Sequence, residues 1–572
     1  MVTRSYRERI LVFIIIISLI SFFLIIRLFY IQLVQSRKMS GLAKGEHTKI
    51  LQIELARGTI FDCNLQELAM SIEVDSIYSQ PNRIERPYKT AIQLSNILGM
   101  NPTTLYKKLT HNSSFVWLKR KVEKKQSQKI RELNIKGIDF LKEYKRFYPK
   151  NHLGAHLIGF VGLDNEGLEG IESIYDKYLK AGINRLVVLK DGEGRTILCP
   201  QNNPLVKKAS NGNDIILTID EIIQHHAEAE LKNICEEQKA KSGSIIVMVP
   251  KTGEILAWAI YPFYNPNCFS QFPSHQYRNT IVTDIFEPGS TFKIFSAIAL
   301  LKEGLIPSEK TYFCPGHIQI GNKTIHCHHP HGTQNLEGII ANSCNVGMAQ
   351  CIHRLSDRKF YSHILEFGFN ESTKIGLSGE EKGLLPKPKD WSRLSKYTIA
   401  IGQGISVTPL QLIMAVGAIA NNGVLMKPIV IKAIKTPQGK IIKEFKPTPV
   451  RQVVPLELIP QINKMLTKVV TDGTGESAQI NGYEIAGKTA TAQKVDANGK
   501  YSPDKFIASF IGYLPADDPK VIILVIVDEP KGTYWGGTIA APTFKKVAKR
   551  IISYMGILPT KPLAEEQSQH KG

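Results

Sequence analysis

Apolar residues run from Ile10 to Ile26, interrupted only by Ser18 and Ser21, and Leu28 to Val34 continue the run after Arg27. A stretch of this length matches the hydrocarbon thickness of a bilayer, so residues 10–34 are expected to form a transmembrane helix. A cleaved signal peptide would have a shorter apolar region and a small-residue cleavage site, and neither is visible before Glu46. Arg4, Arg7 and Arg9 precede the run and favour a cytoplasmic tail over 1–9, although Arg37, Lys38 and Lys44 on the far side dilute the asymmetry. The expectation is a retained single-pass anchor with the bulk of the chain exported.

After the anchor the pattern is mixed. Over 35–213, short strand-like runs such as Leu51 to Leu55 alternate with polar helical stretches such as Thr104 to Leu109 and Gln126 to Leu133, which predicts an elongated mixed domain. From Asp214 the texture changes. Ile215 to Ile219 is strand-like, Glu221 to Cys235 is helical, and Gly243 to Pro250 with Glu254 to Ile260 form a hairpin turning at Lys251-Thr252-Gly253. A second, larger domain is expected over 214–556, with Pro559 and Pro562 opening a polar tail over 557–572. Length agrees in calling for two or three domains, since 572 residues are well beyond the roughly 250–300 that one core supports.

Composition narrows the class. Apolar residues make up 43% and charged residues 22%, which excludes a disordered, collagenous or disulfide-dense chain. A net charge of +21 would suit a nucleic-acid partner if it were focused. Instead it is spread along the chain; its densest run, Lys119 to Lys129, reads as a solvated helix face, and no nucleic acid is expected as partner. A basic exterior fits work beside anionic lipids and an anionic polymer. The eight cysteines, Cys63, Cys199, Cys235, Cys268, Cys314, Cys327, Cys344 and Cys351, are too scattered for a disulfide scaffold. Cys314, His317, His326, Cys327, His328, His329 and His331 form one dense cluster that could supply zinc ligands, but its spacing matches no standard site. The reading preferred here is a loop closed by a Cys314–Cys327 disulfide, with no metal.

Chemistry concentrates at Glu287-Pro288-Gly289-Ser290-Thr291-Phe292-Lys293, ahead of a helix expected over Phe295 to Leu301. One helical turn sets Lys293 against the Ser290 hydroxyl, where a buried lysine of depressed pKa can accept its proton. At a helix start the Ser290 N–H also points toward a developing oxyanion. Alone, a serine and lysine three apart occur by chance in many chains. Here they are followed by Ser343-Cys344-Asn345, after a helical stretch over Asn335 to Ala341, and by Lys488-Thr489-Ala490-Thr491, after strand-like Tyr483 to Ala486. A second serine beside an asparagine can relay protons and hold an amide, and a lysine with hydroxyls on an edge strand can receive a carboxylate.

These three motifs in this order resemble the S-x-x-K, S-x-N and K-T-G set of serine β-lactamases and penicillin-binding proteins. The similarity runs from the anchor to the carboxy terminus and is to class B penicillin-binding proteins, the monofunctional transpeptidases. It is carried by Arg57-Gly58-Thr59-Ile60-Phe61-Asp62-Cys63-Asn64 with Leu68-Ala69, Arg146-Phe147-Tyr148-Pro149, Gly154-Ala155-His156 and Gly167-Leu168-Glu169-Gly170-Ile171-Glu172. Leu217-Thr218-Ile219-Asp220 with Gln224, Gly402-Gln403-Gly404 with Val407-Thr408-Pro409-Leu410-Gln411, Gly473-Thr474-Gly475, and Gly536-Gly537 with Ala540-Ala541-Pro542 complete it. Most of these glycines read as tight turns, and Arg57, Asp62 and Asn64 as charge-assisted ties between the two domains. Two departures stand out: Cys63 replaces the family's usual arginine, and Ala490 replaces the glycine of K-T-G, where a methyl could crowd a substrate strand.

The resemblance implies an α+β fold: one amino-terminal transmembrane helix, a pedestal of the class B dimerisation type, and a β-lactamase-like transpeptidase domain with an antiparallel sheet flanked by helices. It implies that Ser290 attacks the D-Ala-D-Ala carbonyl of a peptidoglycan stem peptide with Lys293 as base. Ser343 would shuttle a proton, Asn345 would position the peptide, and Lys488, Thr489 and Thr491 would hold the terminal carboxylate. The backbone N–H groups of Ser290 and Thr491 would form the oxyanion hole. No metal or organic cofactor is implied. β-Lactams would acylate Ser290 as substrate mimics, a lipid-carrier glycan polymerase and division-complex proteins would be partners, and a septal role is preferred to elongation. A β-lactamase or carboxypeptidase would use the same serine and lysine, and a decayed scaffold would leave Ser290 unreactive.

Overall fold

The amino-terminal apolar run forms the helix Val2–Phe29, closed by a π-turn at Tyr30–Val34, in the computed structural model of the chain. The structure describes residues 2–39, 48–190, 196–197, 210–307, 309–496 and 498–562. Lys44, Cys199 and the tail beyond 562 lie outside the described residues. Among these, Tyr6–Val34 is the one helix long and apolar enough to cross a membrane. The described residues of 1–55 and 181–210 form one compact unit, in which strand Ile183–Lys190 pairs antiparallel with Thr48–Glu54 and Thr196–Ile197. Residues 56–180 and the chain from 211 onward form the second.

A five-stranded antiparallel sheet organises the second unit, in the order Ile255–Tyr261, Ser242–Met248, Val521–Asp528, Tyr501–Leu514, Ala486–Val495. The hairpin expected at Lys251-Thr252-Gly253 is its first pair, with Gly253 at φ +76° in the left-handed region. Strand Val521–Asp528 is apolar at seven successive positions because both faces are covered. Ile523, Val525 and Val527 enter a core with Ile223 and Leu231 of helix Glu221–Glu237 and Phe544 and Val547 of helix Gly536–Met555. Ile522, Leu524 and Ile526 point the other way, into a core shared with Phe292, Phe295 and Leu410. Period-two alternation thus splits one apolar run between two layers of helices. Helix Pro409–Ala420, buried at all twelve positions and apolar at all but Gln411, fills the second core and opens with a Thr408/Gln411 capping box.

A second sheet joins the amino-terminal segment to the catalytic part. Its order is Ile441–Glu444, Ile431–Lys435, Asp214–Leu217, Ile60–Phe61, Glu67–Ser79, Val116–Val122, with Ile138–Phe147 also on Glu67–Ser79. Ile60 pairs in parallel with Ile215 and Phe61 with Ile216. Asp62 extends this junction: its carboxylate accepts from the backbone N–H of Asn64 (2.8 Å), Gln66 (2.7 Å) and Glu221 (3.1 Å). Asn64 Nδ2 donates to Asp220 at 3.0 Å, and Asp220 in turn caps helix Glu221–Glu237.

Three expectations change. Arg57 is buried, but among the described residues its side chain ties nothing across the junction: it binds Glu172 (2.6 Å), Asp176 (2.5 Å) and the Asn165 carbonyl (3.0 Å), all within the amino-terminal segment. The basic run Lys119 to Lys129 is no single helix face. It is divided between strand Val116–Val122, whose Leu118 and Val122 are buried, and helix Lys124–Glu132. Cys314 and Cys327 form no disulfide; their Sγ atoms are 3.7 Å apart, against about 2.05 Å for a bond, and the seven described cysteines are all free.

Candidate active site

Ser290 sits on a 3-10 turn, Gly289–Phe292, that runs directly into helix Lys293–Lys302, a start two residues earlier than the apolar spacing suggested. A 3-10 turn eclipses positions three apart, so Lys293 lies over Ser290 more closely than an α-turn would place it. The Lys293 Nζ is 3.1 Å from Ser290 Oγ, 2.5 Å from the Ser343 carbonyl, 3.3 Å from Ser343 Oγ and 2.6 Å from Asn345 Oδ1. An ammonium has three hydrogens for these four oxygens. A neutral amine can donate to the Ser343 carbonyl and Asn345 and accept from the Ser290 hydroxyl, which is the arrangement a base requires. Burial favours that form: Lys293 is fully buried, and desolvation lowers its pKa to about 8 against the opposing influence of Cys344 and Cys327.

The turn is braced from two sides. Gly289 adopts φ +54° and donates its N–H to the Gly402 carbonyl at 3.1 Å. A Cβ on Gly402, itself at φ +81°, would lie 2.0 Å from the Gly289 carbonyl oxygen, so the Gly402-Gln403-Gly404 turn does more than reverse the chain: it seats the serine. Ser343 also lies in the left-handed region, at φ +57°, between helices Leu336–Ala341 and Asn345–Ile352. A serine is rarely held there, and the constraint turns its carbonyl and hydroxyl onto Lys293.

Lys488-Thr489-Ala490-Thr491 lies within strand Ala486–Val495 itself, not after a strand ending at Ala486. This is the edge of the five-stranded sheet, and its residues alternate. Lys488, Ala490 and Ala492 face the serine turn; the methyls of Ala492 and Ala490 would stand 3.3 Å and 3.6 Å from a Cβ on Gly289. Ala490 is 3% exposed, with its methyl close to the serine turn, and it also lines the groove. Thr489 and Thr491 face the opposite way. Thr489 Oγ1 is 2.6 Å from Thr474 Oγ1, and Thr491 Oγ1 accepts from the Gly536 N–H at 3.0 Å. Lys488 is fully buried, donates to the Thr489 carbonyl at 3.1 Å, and has its pKa pushed well down by desolvation and by Lys293.

Ser290, Ser343, Asn345, Thr489 and Thr491 line one groove of about 450 Å³, with Lys293 and Lys488 buried behind them. Residues to which the sequence assigned no role at the site also line its walls, among them Thr474, Gln403, Trp535 and His328. Of these, Thr474 and Gln403 stood in glycine-flanked segments read as turns, His328 belonged to the cysteine–histidine cluster, and nothing in the spacing marks Trp535. The His328 ring meets Trp535 edge-on at 4.4 Å, which brings the loop after strand Lys323–His326 over the groove. Asn345 Nδ2 donates to the His326 carbonyl at 2.9 Å from the same loop.

Comparison with known proteins identifies the family. A family profile described as the penicillin binding protein transpeptidase domain matches residues 243–549, and one described as the penicillin-binding protein dimerisation domain matches 52–217. Stage V sporulation protein D of Bacillus subtilis is 35% identical, over 99% of this chain and 88% of that protein. Peptidoglycan D,D-transpeptidase FtsI of Escherichia coli is 31% identical over 94% of this chain and 90% of its own length. Among solved structures, a peptidoglycan synthetase from Bifidobacterium adolescentis superposes with a TM-score of 0.72 at 25% identity, covering 91% of this chain and 98% of that one. Penicillin binding protein 3 of Mycobacterium tuberculosis, in complex with aztreonam, gives 0.69 at 27% identity over 90% and 99%. The chain belongs to the penicillin-binding protein family, as a membrane-anchored class B member that carries a dimerisation domain and a transpeptidase domain.

Proposed function

We propose that this chain is a serine-type peptidoglycan D,D-transpeptidase that works through a Ser290 acyl-enzyme and is a target of β-lactams. The observation that carries this reading is the buried Lys293 amine 3.1 Å from Ser290 Oγ. Neutral Lys293 takes the hydroxyl proton as Ser290 Oγ bonds to the carbonyl carbon of the penultimate D-alanine. The backbone N–H groups of Ser290 and Thr491 receive the oxyanion. As the C–N bond breaks, the proton passes from Lys293 through Ser343 to the departing amine of the terminal D-alanine, leaving an ester on Ser290. The amine of a neighbouring stem then attacks the ester, an amide forms and Ser290 recovers its proton. Asn345 positions the peptide, while Lys488, Thr489 and Thr491 hold its terminal carboxylate. In a β-lactam the amine stays tethered after ring opening and blocks the acceptor, so the adduct persists.

The FtsI relatives support a septal role in cell-wall synthesis. Arg4, Arg7 and Arg9 favour a cytoplasmic amino terminus and an extracytoplasmic catalytic domain, where peptidoglycan lies. The exposed apolar surface of the anchor suits lateral contact with a lipid-carrier glycan polymerase and division proteins in the bilayer. The test is intact-mass analysis of the detergent-solubilised chain after incubation with a penicillin, beside Ser290→Ala. One added penicillin mass, absent in the variant, is expected. A folded wild-type chain that gains no mass would identify a wall-synthesis scaffold without catalysis.

A further inference from the structure

Beside the groove, Cys314, Cys327, His331 and Cys344 converge: one ligand atom from each lies within 4.8 Å of the others. Cys314 ends strand Thr311–Cys314, Cys327 follows strand Lys323–His326, His331 precedes strand Gly332–Asn335, and Cys344 caps helix Asn345–Ile352. The Sγ atoms of Cys314 and Cys327 are 3.7 Å apart, those of Cys327 and Cys344 3.8 Å, and Cys314 Sγ is 3.6 Å from His331 Nδ1. A tetrahedral zinc with Zn–S of about 2.3 Å and Zn–N of about 2.0 Å requires S···S of about 3.8 Å and S···N of about 3.6 Å. A disulfide requires about 2.05 Å and would join two of the sulfurs while stranding the third.

We propose that these four residues hold a structural Zn²⁺ ion, in a closed Cys3His site that nails the wall of the active-site groove to the Ser343-Cys344-Asn345 segment. Three sulfurs and one imidazole are the ligand set of a closed structural zinc site, and four protein ligands leave no position for substrate. The surroundings are those of bound thiolates. Cys314 and Cys344 are buried, and the backbone N–H groups of Val346 and Gly347 donate to Cys327 Sγ at 3.4 Å and Cys344 Sγ at 3.2 Å. The cross-link has a defined target. Cys344 stands between Ser343 and Asn345, both within reach of Lys293, while Cys327 stands between the His326 carbonyl that receives Asn345 and the His328 ring that meets Trp535. The metal would therefore hold Ser343 in its left-handed conformation and close one wall of the groove. It acts on geometry, and takes no part in bond making.

The test uses the full chain in detergent, purified under reducing conditions without chelator. Elemental analysis is expected to find one zinc per chain, retained through dialysis. Co²⁺ exchanged for it is expected to give the visible absorption of a tetrahedral thiolate site, and Cys314→Ser and His331→Ala to lose the metal. Should those variants fail to fold, the wild type decides: chelation is expected to expose three further thiols to alkylation, and zinc to protect them again. Absence of bound metal after exposure to zinc, or a native disulfide between any two of the three cysteines, would overturn the site. Its effect on positioning rests on the Ser290 reading. Chelated, still folded protein is expected to acylate with penicillin at least tenfold more slowly and to recover with zinc; an unchanged rate would remove the positioning role. A chain that binds zinc but never forms the adduct would instead count against the acyl-transfer reading.

Discussion

At the scale of single residues, the decisive quantity is the protonation of Lys293. Its pKa of about 8 is set by desolvation and lies below the ordinary lysine value of about 10.4, so the neutral base is about a tenth of the population at pH 7 and dominates above pH 8. The rate of penicillin acylation is accordingly expected to climb about tenfold per pH unit up to neutrality and to level off above pH 8, followed by stopped mass analysis across pH 6 to 9.5. A flat profile would show that another group takes the Ser290 proton. Ala490 makes a second prediction. Because its methyl lies close to Gly289 and is almost fully buried, Ala490→Gly is expected to change the acylation rate by less than about threefold; a gain of tenfold or more would mean that the methyl does obstruct substrate.

Between elements, the buried charges of the amino-terminal segment matter more than their number suggests. Glu172, fully buried, accepts from Arg57 Nε at 2.6 Å, Arg146 Nε at 2.5 Å and the Tyr148 hydroxyl at 3.3 Å. Arg146 also donates to the Gly58 carbonyl at 2.6 Å, next to the strand Ile60–Phe61 that joins the two sheets. Glu172→Ala would leave two guanidinium groups buried without their shared carboxylate, a change that costs about 3–5 kcal/mol. Chemical denaturation is expected to report a loss of that size; a loss under about 1 kcal/mol would indicate that water or Asp176 replaces the missing acid.

Across the whole molecule, the sheet that includes Ile60–Phe61 and Asp214–Leu217 makes the catalytic part depend on residues far earlier in the chain. Asp62 closes the same junction on the Glu221 N–H. A chain begun at Asn211 would expose the strand edge that Ile60 covers and lose these bonds. It is expected to aggregate or to melt well below the full-length protein, as read by thermal scanning with light scattering. A shortened chain of unchanged melting temperature would show that the catalytic part folds without the amino-terminal segment.

Local chemistry made much of this protein legible from its residues alone. The anchor followed from an apolar run that only a bilayer or a deep core can satisfy, and the hairpin near Gly253 from turn residues between two apolar runs. The juxtaposition of Ser290 and Lys293 followed from helical spacing, since neighbours three apart need no knowledge of the rest of the chain. Tertiary structure decided what depends on partners distant in sequence. Lys119 to Lys129 could not be divided into strand and helix until Leu118 and Val122 had a core to enter. The partners of Arg57 were hidden because Glu172 and Asp176 lie more than a hundred residues away. Cysteine spacing alone could not tell a bonded pair from a cluster: Cys344 belongs to the group around Cys314 only because two hairpins and a helix cap meet there, and long-range packing, unlike turn or helix periodicity, leaves no local signature.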